Sequence, residues 1–342
     1  MHKLQLTLLL VIFSFSLTYS QKTIVGKILS KTTHQPIPYA NIGVVNSNAG
    51  TISNLDGSFS IIIPENLSND MLTFTSLGFF SKIMPINILN SNENYTITLS
   101  EKATLLKPVT ITAKVADKLI EVGNKVCYGG NYQPDTTYAG RSVALLIDIK
   151  NLPELSLHPV FINQAKLYIF KNNFSSYKFR VRLNKYDSVT GKPGADLIDK
   201  SIIVKSSIIS GWTYFDLSKL NFQITGPFFV SFEQLIDLKD RKKIARGYRK
   251  IMLNHPDWFV TETINFEGKT LLNLVLAKED TDLPGTFIGT SGAQSEIEKY
   301  SCFVRETSLG EWHKFPKIIT ATVSVSGLYG FATNGNAEVP PL

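Results

Sequence analysis

The stretch from Gln35 to Ile61 restricts the chain more than any other, because it packs prolines, turn residues and strand alternation too closely for a helix. Pro36 and Pro38 fix their own φ and bias their preceding residues toward extended backbone. Tyr39, Ile42 and Val44 then supply apolar strand residues. Asn54-Leu55-Asp56-Gly57 reads as a turn, with short acceptor side chains for the local backbone and a glycine free to take positive φ. After it Phe59, Ile61 and Ile63 alternate with Ser58 and Ser60, the period of a strand with one buried face. Three short strands joined by turns form a sandwich edge and leave no room for a catalytic loop.

The same pattern recurs along the 342 residues, a length sufficient for two domains with cores of their own. At 43% hydrophobic and 18% charged the chain is too apolar to be disordered, and its Phe, Tyr, Ile and Thr content favours strands. Residues 1–20 carry Lys3, then a mostly apolar run from Leu6 to Leu17, then Thr18-Tyr19-Ser20, which reads as a secretory signal peptide cut after Ser20. The apolar run is shorter than the roughly 20 residues a membrane span needs, and no later stretch approaches one, so no transmembrane span is expected. Loss of Lys3 takes the formal charge from +7 to +6, a surplus that favours anionic partners but is too small to indicate nucleic acid without clustering. The two cysteines, Cys127 and Cys302, are able to form one disulfide in an exported protein, or to stay as two buried thiols.

Gly26, Pro36, Pro38-Tyr39-Ala40-Asn41-Ile42, Gly50-Thr51, Asp56-Gly57-Ser58-Phe59 and Leu72-Thr73-Phe74-Thr75-Ser76-Leu77-Gly78-Phe79 together resemble the carboxypeptidase-regulatory-like domain of Bacteroidetes envelope proteins. The resemblance covers roughly residues 22–100. It implies a seven-stranded transthyretin-like sandwich and a place in the cell envelope, and it names no ligand. Leu106 to Ala113 resembles the connector that leads from such a domain into the plug of TonB-dependent receptors. A transporter barrel would need about 22 strands, and about 230 remaining residues cannot hold a plug and such a barrel.

The expected organisation is all-β: signal peptide 1–20, the regulatory-like sandwich 21–100, a linker 101–135, a larger jelly-roll-like sandwich 136–332 and a tail 333–342. In the second sandwich Tyr177, Phe179, Val181 and Leu183 alternate with Lys178, Arg180, Arg182 and Asn184, predicting one core face and one basic face. Strands are also expected at 212–217, with Trp212 in the core, and at 248–253.

Candidate binding residues lie in this second half. Lys239 to Lys250 holds seven positive charges and one negative, a loop or short helix suited to an anionic glycan, a phosphate group or an acidic protein; Arg241, Lys242, Lys243, Arg246 and Arg249 are its candidates. The competing reading is a solvated connection between strands. Trp258 and Trp312 are candidates for stacking on sugar rings, against a packing role for each. Asp56, Asp187, Asp196 and Glu233 offer oxygen ligands for calcium, but no dense Asp-x-Asp loop occurs, so turn capping is the expected role. No His-Glu-x-x-His, nucleophile elbow or phosphate-cradling loop is present, and Gly289-Thr290-Ser291-Gly292-Ala293 lacks the spacing of an elbow. The expectation is therefore a non-catalytic exported protein with no cofactor and no metal, binding an envelope protein or a glycan. Alternatives are an assembly factor that contacts only protein, and a hydrolase with an unfamiliar site among His158, His255 and His313.

Overall fold

A computed structural model describes residues 21–91, 93–102, 119–130, 139–149, 160–266, 269–276 and 284–327, with backbone alone for 259–266 and 269–276. The expected signal peptide and tail lie outside the described residues. The chain divides into two compact units, Met1–Lys102 with Thr307–Glu311, and Ala103–Glu306 with Trp312–Leu342.

The first unit has seven strands among its described residues: β1 Lys22–Ser30, β2 Asn41–Val44, β3 Gly50–Ile52, β4 Ser58–Ile63, β5 Met71–Thr75, β6 Lys82–Pro85 and β7 Asn94–Leu99. They form a three-stranded sheet in the order β4-β1-β7 and a four-stranded sheet in the order β3-β2-β5-β6. β1 pairs antiparallel with β4 and parallel with β7, so it is the centre of its sheet. Strand alternation sends Ile24 and Ile28 inward to meet Phe59, Ile61 and Ile63 of the same sheet and Ile42, Leu72 and Phe74 of the other. The rings of Phe59 and Phe74 meet edge to face at 5.7 Å. The turn before β4 forms as its residues predict: the Ser58 N–H donates to Asp56 Oδ1 at 3.0 Å and Gly57 takes φ +77°. The Ser58 hydroxyl and amide together hold the Asp56 carboxyl below the usual carboxylate range. Thr307–Glu311 belongs to this unit, with the Asn46 N–H donating to Leu309 O at 3.0 Å.

The second unit contains β8 Leu119–Asn124, β9 Gly129–Gly130, β10 Ser142–Ile147, β11 Val160–Asn172, β12 Tyr177–Tyr186, β13 Pro193–Asp196, β14 Ile202–Ser206, β15 Gly211–Asp216, β16 Phe222–Ile224 and β17 Phe228–Gln234. A helix, Leu238–Asn254, follows; then come β18 Phe259–Phe266, β19 Lys269–Leu276, β20 Thr286–Ser291, β21 Cys302–Arg305, β22 His313–Lys314, β23 Ile318–Ile319 and β24 Ala321–Gly327. One sheet runs β13-β12-β17-β10-β21-β22 with β14 also on β12. The other runs β23-β20-β11-β24-β8, with β15 and β16 also on β11 and β9 on β20. Leu145, Phe179, Val181, Val230 and Phe232 of the first sheet share one core with Leu167, Ile169, Phe215, Val323 and Val325 of the second. This is a two-sheet sandwich, as the alternation predicts. In β11 a register shift between Ile162 and Gln164 lets both Ile162 and Ala165 face the core although they are three residues apart.

Three expectations are corrected. The linker 101–135 contains β8 and β9, which are paired members of the eight-stranded sheet, because Ile120 and Val122 find their partners Val325 and Val323 far along the chain. The strand expected at 248–253 is part of the helix Leu238–Asn254, whose buried Arg241, Ile244 and Ile251 recur at helical spacing. β12 is buried on both faces from Phe179 to Asn184, Arg180, Arg182 and Asn184 being enclosed along with Phe179 and Val181, while Lys178 is half-buried.

Candidate functional site

The basic stretch is not a loop. On the helix Leu238–Asn254 the side chains of Lys242, Lys243, Arg246 and Arg249 are exposed, whereas Arg241 is buried with Ile244 and so is withdrawn from any ligand. Lys243 Nζ lies 5.1 Å from the centre of the Phe174 ring, and the Arg246 Nε–H donates to Lys242 O at 3.2 Å. Trp258 is half-buried against Tyr248, Ile251 and Phe287, and one face of its indole is stacked on His255 at 3.9 Å. Trp312 is a packing residue. It is enclosed with Ala144, Phe229 and Phe303, and the Arg305 guanidinium lies 4.5 Å from its ring centre, so neither face is open to a sugar. Trp258 thus packs on the end of the basic helix through Ile251, whereas Trp312 sits in a separate cluster and joins neither.

The arginines of β12 build a buried ionic ladder across the seven-stranded sheet. Arg180 stands opposite Glu233, Glu233 opposite Ser142, and Ser142 opposite Arg305, so one row crosses four strands. Arg180 Nη1 donates to Glu233 Oε2 at 3.1 Å, and Arg182 Nη1 reaches the same oxygen at 3.4 Å. Arg182 also forks onto Asp196, with Nε to Oδ1 at 2.8 Å and Nη2 to Oδ2. Burial alone would push Arg182 down, but the bonds and charge of Asp196, with the charge of Glu233, carry it above the ordinary arginine value. Burial pushes Arg305 down, to about 9, and the neighbouring Arg182 adds to the fall. The carboxylates read as calcium ligands are thus committed elsewhere: Asp196 and Glu233 to Arg182, Asp56 to Ser58 and Asp187 to Thr190. Among the described residues no three His, Cys, Asp or Glu side chains gather to hold a metal.

An unforeseen feature is the outer face of the eight-stranded sheet. β15 places Thr213 and Phe215 inward, so Trp212 and Tyr214 point outward, the reverse of the expected core position for Trp212. Trp212 stands opposite Tyr168 of β11, their rings edge to face at 5.3 Å, and Tyr214 stands opposite Lys166. The next pair along is Asp216 opposite Gln164. Tyr214 is 54% exposed, and Lys166 Nζ lies 5.7 Å from its ring centre while also pairing with Glu121 at 3.2 Å. The exposed Tyr214 ring, with the perpendicular Trp212–Tyr168 pair beside it and an ammonium, a carboxylate and an amide around them, offers aromatic surface for an apolar face and polar groups for its edges.

Residues 24–111 match the family model described as CarboxypepD_reg-like domain. The match covers roughly a quarter of the chain, and no curated protein matches it. The CarboxypepD_reg-like domain is a regulatory, non-catalytic domain. Residues within the match play structural roles: Gly26 is buried, Gly57 makes a turn, and the Ser53 hydroxyl accepts from Ala40 N–H at 2.9 Å and donates to Ile37 O at 2.8 Å. The aromatic platform, the basic helix and the ionic ladder all fall outside the CarboxypepD_reg-like domain. No helix among the described residues is long and apolar enough to cross a membrane.

Both cysteines are free thiols, Cys302 buried and Cys127 half-buried, so neither the disulfide nor a pair of buried thiols describes them. Cys302 is enclosed in the second core and accepts from the Ile319 N–H at 3.4 Å; burial pushes its thiol up to about 12. Since the unfolded thiol ionises near 9, this contribution to stability is complete below pH 9 and fades between pH 9 and 12. A disulfide-exchange thiol reagent at pH 8 should modify Cys127 alone in the folded protein and both thiols after denaturation. Rapid modification of two thiols in the native state would contradict the buried position of Cys302.

Proposed function

We propose that this chain is an exported, non-catalytic envelope protein whose second sandwich binds glycan on the outer face of the eight-stranded sheet. The observation that carries the reading is the outward position of Trp212, opposite Tyr168 and beside the exposed Tyr214 on one face of the sheet. Sugar rings present apolar C–H faces, which stack on aromatic rings, and polar rims, which suit Asp216, Gln164 and Lys166. Export rests on the leader-like residues 1–20. The CarboxypepD_reg-like domain would attach the module to an envelope partner, and an added edge strand is the physical route open to it.

A binding screen of the chain lacking residues 1–20 against a glycan array tests this. Trp212→Ala and Tyr214→Ala should each weaken glycan binding about tenfold, equivalent to about 1.4 kcal/mol, and raised salt should change it little. A second reading is favoured by the exposed Lys242, Lys243, Arg246 and Arg249 on one helix. It predicts binding to anionic glycans that fades with salt and is lost when those four are neutralised. If no glycan binds and both sets of variants retain envelope partners on crosslinking, the protein acts as an assembly factor.

A further inference from the structure

On the outer face of the eight-stranded sheet two exposed rings lie well apart along one stripe. β11 turns Lys166, Tyr168 and Phe170 outward between the buried Ala165, Leu167 and Ile169. Tyr214 stands opposite Lys166 and is 54% exposed, and Phe170, four residues further along β11, is 37% exposed. The rise of a strand sets these two positions about 13 Å apart. Between them stands the perpendicular Trp212–Tyr168 pair. Glycines leave these rings their room. A β-carbon at Gly130 would lie 2.2 Å from Phe170 Cδ1, and one at Gly289 would lie 2.8 Å from Tyr168 Cδ1.

The charges beside the stripe are answered within the fold. Lys166 pairs with Glu121 at 3.2 Å, and Glu121 also accepts from the Thr322 hydroxyl at 2.6 Å. Asp216 accepts from the Ser218 amide at 3.0 Å and from its hydroxyl at 2.6 Å. A charged ligand would compete with these pairs, whereas a neutral one stacks on the rings and leaves them intact.

Length narrows the class further. One sugar ring cannot touch Tyr214 and Phe170 together across about 13 Å, but a chain of sugar units can. Once held at the first ring, such a chain meets the second intramolecularly, and its affinity rises without a new kind of contact. We infer that this face binds a linear neutral polysaccharide lengthwise along β11, with Tyr214 and Phe170 as separate stacking positions. The inference rests on the glycan reading of this face and adds to it the kind of glycan, its direction and the residue Phe170.

Calorimetric titration of the chain lacking residues 1–20 with cello-, xylo-, manno- and malto-oligosaccharides of two and six units tests it. In at least one series the six-unit sugar should bind tighter than the two-unit sugar by about tenfold or more, and raised salt should leave that ratio in place. Phe170→Ala should weaken the six-unit sugar about tenfold and change the two-unit sugar by about twofold at most, which also shows that the sheet face is intact. Phe170→Tyr keeps the ring and should bind as the parent does. Equal affinity for two and six units, with both lost in Trp212→Ala, would overturn the lengthwise chain and leave the glycan face standing. Phe170→Ala binding the six-unit sugar as the parent does would overturn it in the same way. Binding by none of these sugars would overturn the inference, while the glycan array judges the reading beneath it separately. Binding that fades with salt and survives Trp212→Ala would overturn both, by moving the sugar to the basic helix.

Discussion

Glu233→Ala should destabilise the second sandwich by about 3–5 kcal/mol, the usual result of removing one partner from a buried ion pair. Glu233 is fully enclosed and its Oε2 takes bonds from both Arg180 and Arg182. Without it Arg180 and Arg182 lose the carboxylate they share, while Arg182 keeps Asp196. The arginines are themselves enclosed, Arg180 at 2% and Arg182 and Arg305 at 8% exposed, so their charge has little water to turn to. For a unit of this size the change corresponds to a fall in melting temperature on the order of 10 °C. The expected effect belongs to the uncompensated charge and not to the ion pair as such. Glu233→Met combined with Arg180→Met should therefore cost less than Glu233→Ala alone, since apolar replacement of both partners removes the desolvation penalty with the attraction. Calorimetry of the three proteins checks this. A Glu233→Ala protein that melts within about 2 °C of the parent would show that the ladder is hydrated in solution.

That ladder also marks where the sequence stops being readable. β12 lies where its alternation places it, Tyr177–Tyr186, because four apolar residues at period two leave one choice of core face. The opposite face was expected to be solvated, since arginine is rarely enclosed unless paired. Its partner Glu233 is 53 residues from Arg180, and nothing local announces it. β8 was missed for the same reason: its whole ladder is with β24, about 200 residues on. Trp212 shows a different failure. A shift of one residue exchanges the two faces of a strand, and the run Trp212-Thr213-Tyr214-Phe215 is apolar enough to be read in either register. In the helix Leu238–Asn254 the density of charge hid Ile244, Tyr248 and Ile251, whose spacing of four and three is helical. Read only as a loop or short helix within Lys239–Lys250, the stretch gave no reason to take Asp237 as its N-cap or to extend it to Asn254. The first domain was legible because its determinants are local: each turn is specified by residues within four of one another, as in Asp56 to Ser58.

One determinant of that domain is not a turn, and it supplies the other large effect: Gly26→Ala should destabilise the CarboxypepD_reg-like domain by about 3 kcal/mol or more, at the upper end for an overpacked core. Gly26 is buried in β1 between the two strands it pairs with. A β-carbon there would lie 2.3 Å from Tyr95 O and 2.8 Å from the Phe59 ring. The first is a backbone atom of β7 and moves only if the parallel β1–β7 ladder moves with it. The second belongs to a ring already held edge to face by Phe74 in the core. Neither neighbour can yield cheaply, unlike the tip of a flexible side chain. In a domain of this size about 3 kcal/mol lowers the melting temperature by roughly 15 °C. Gly226→Ala is the matched control, since a β-carbon at Gly226 meets nothing within 4 Å and should change little. A Gly26→Ala protein whose first domain melts like the parent would mean that β1 and β7 pair in another register in solution, because in this one the added methyl group has no space.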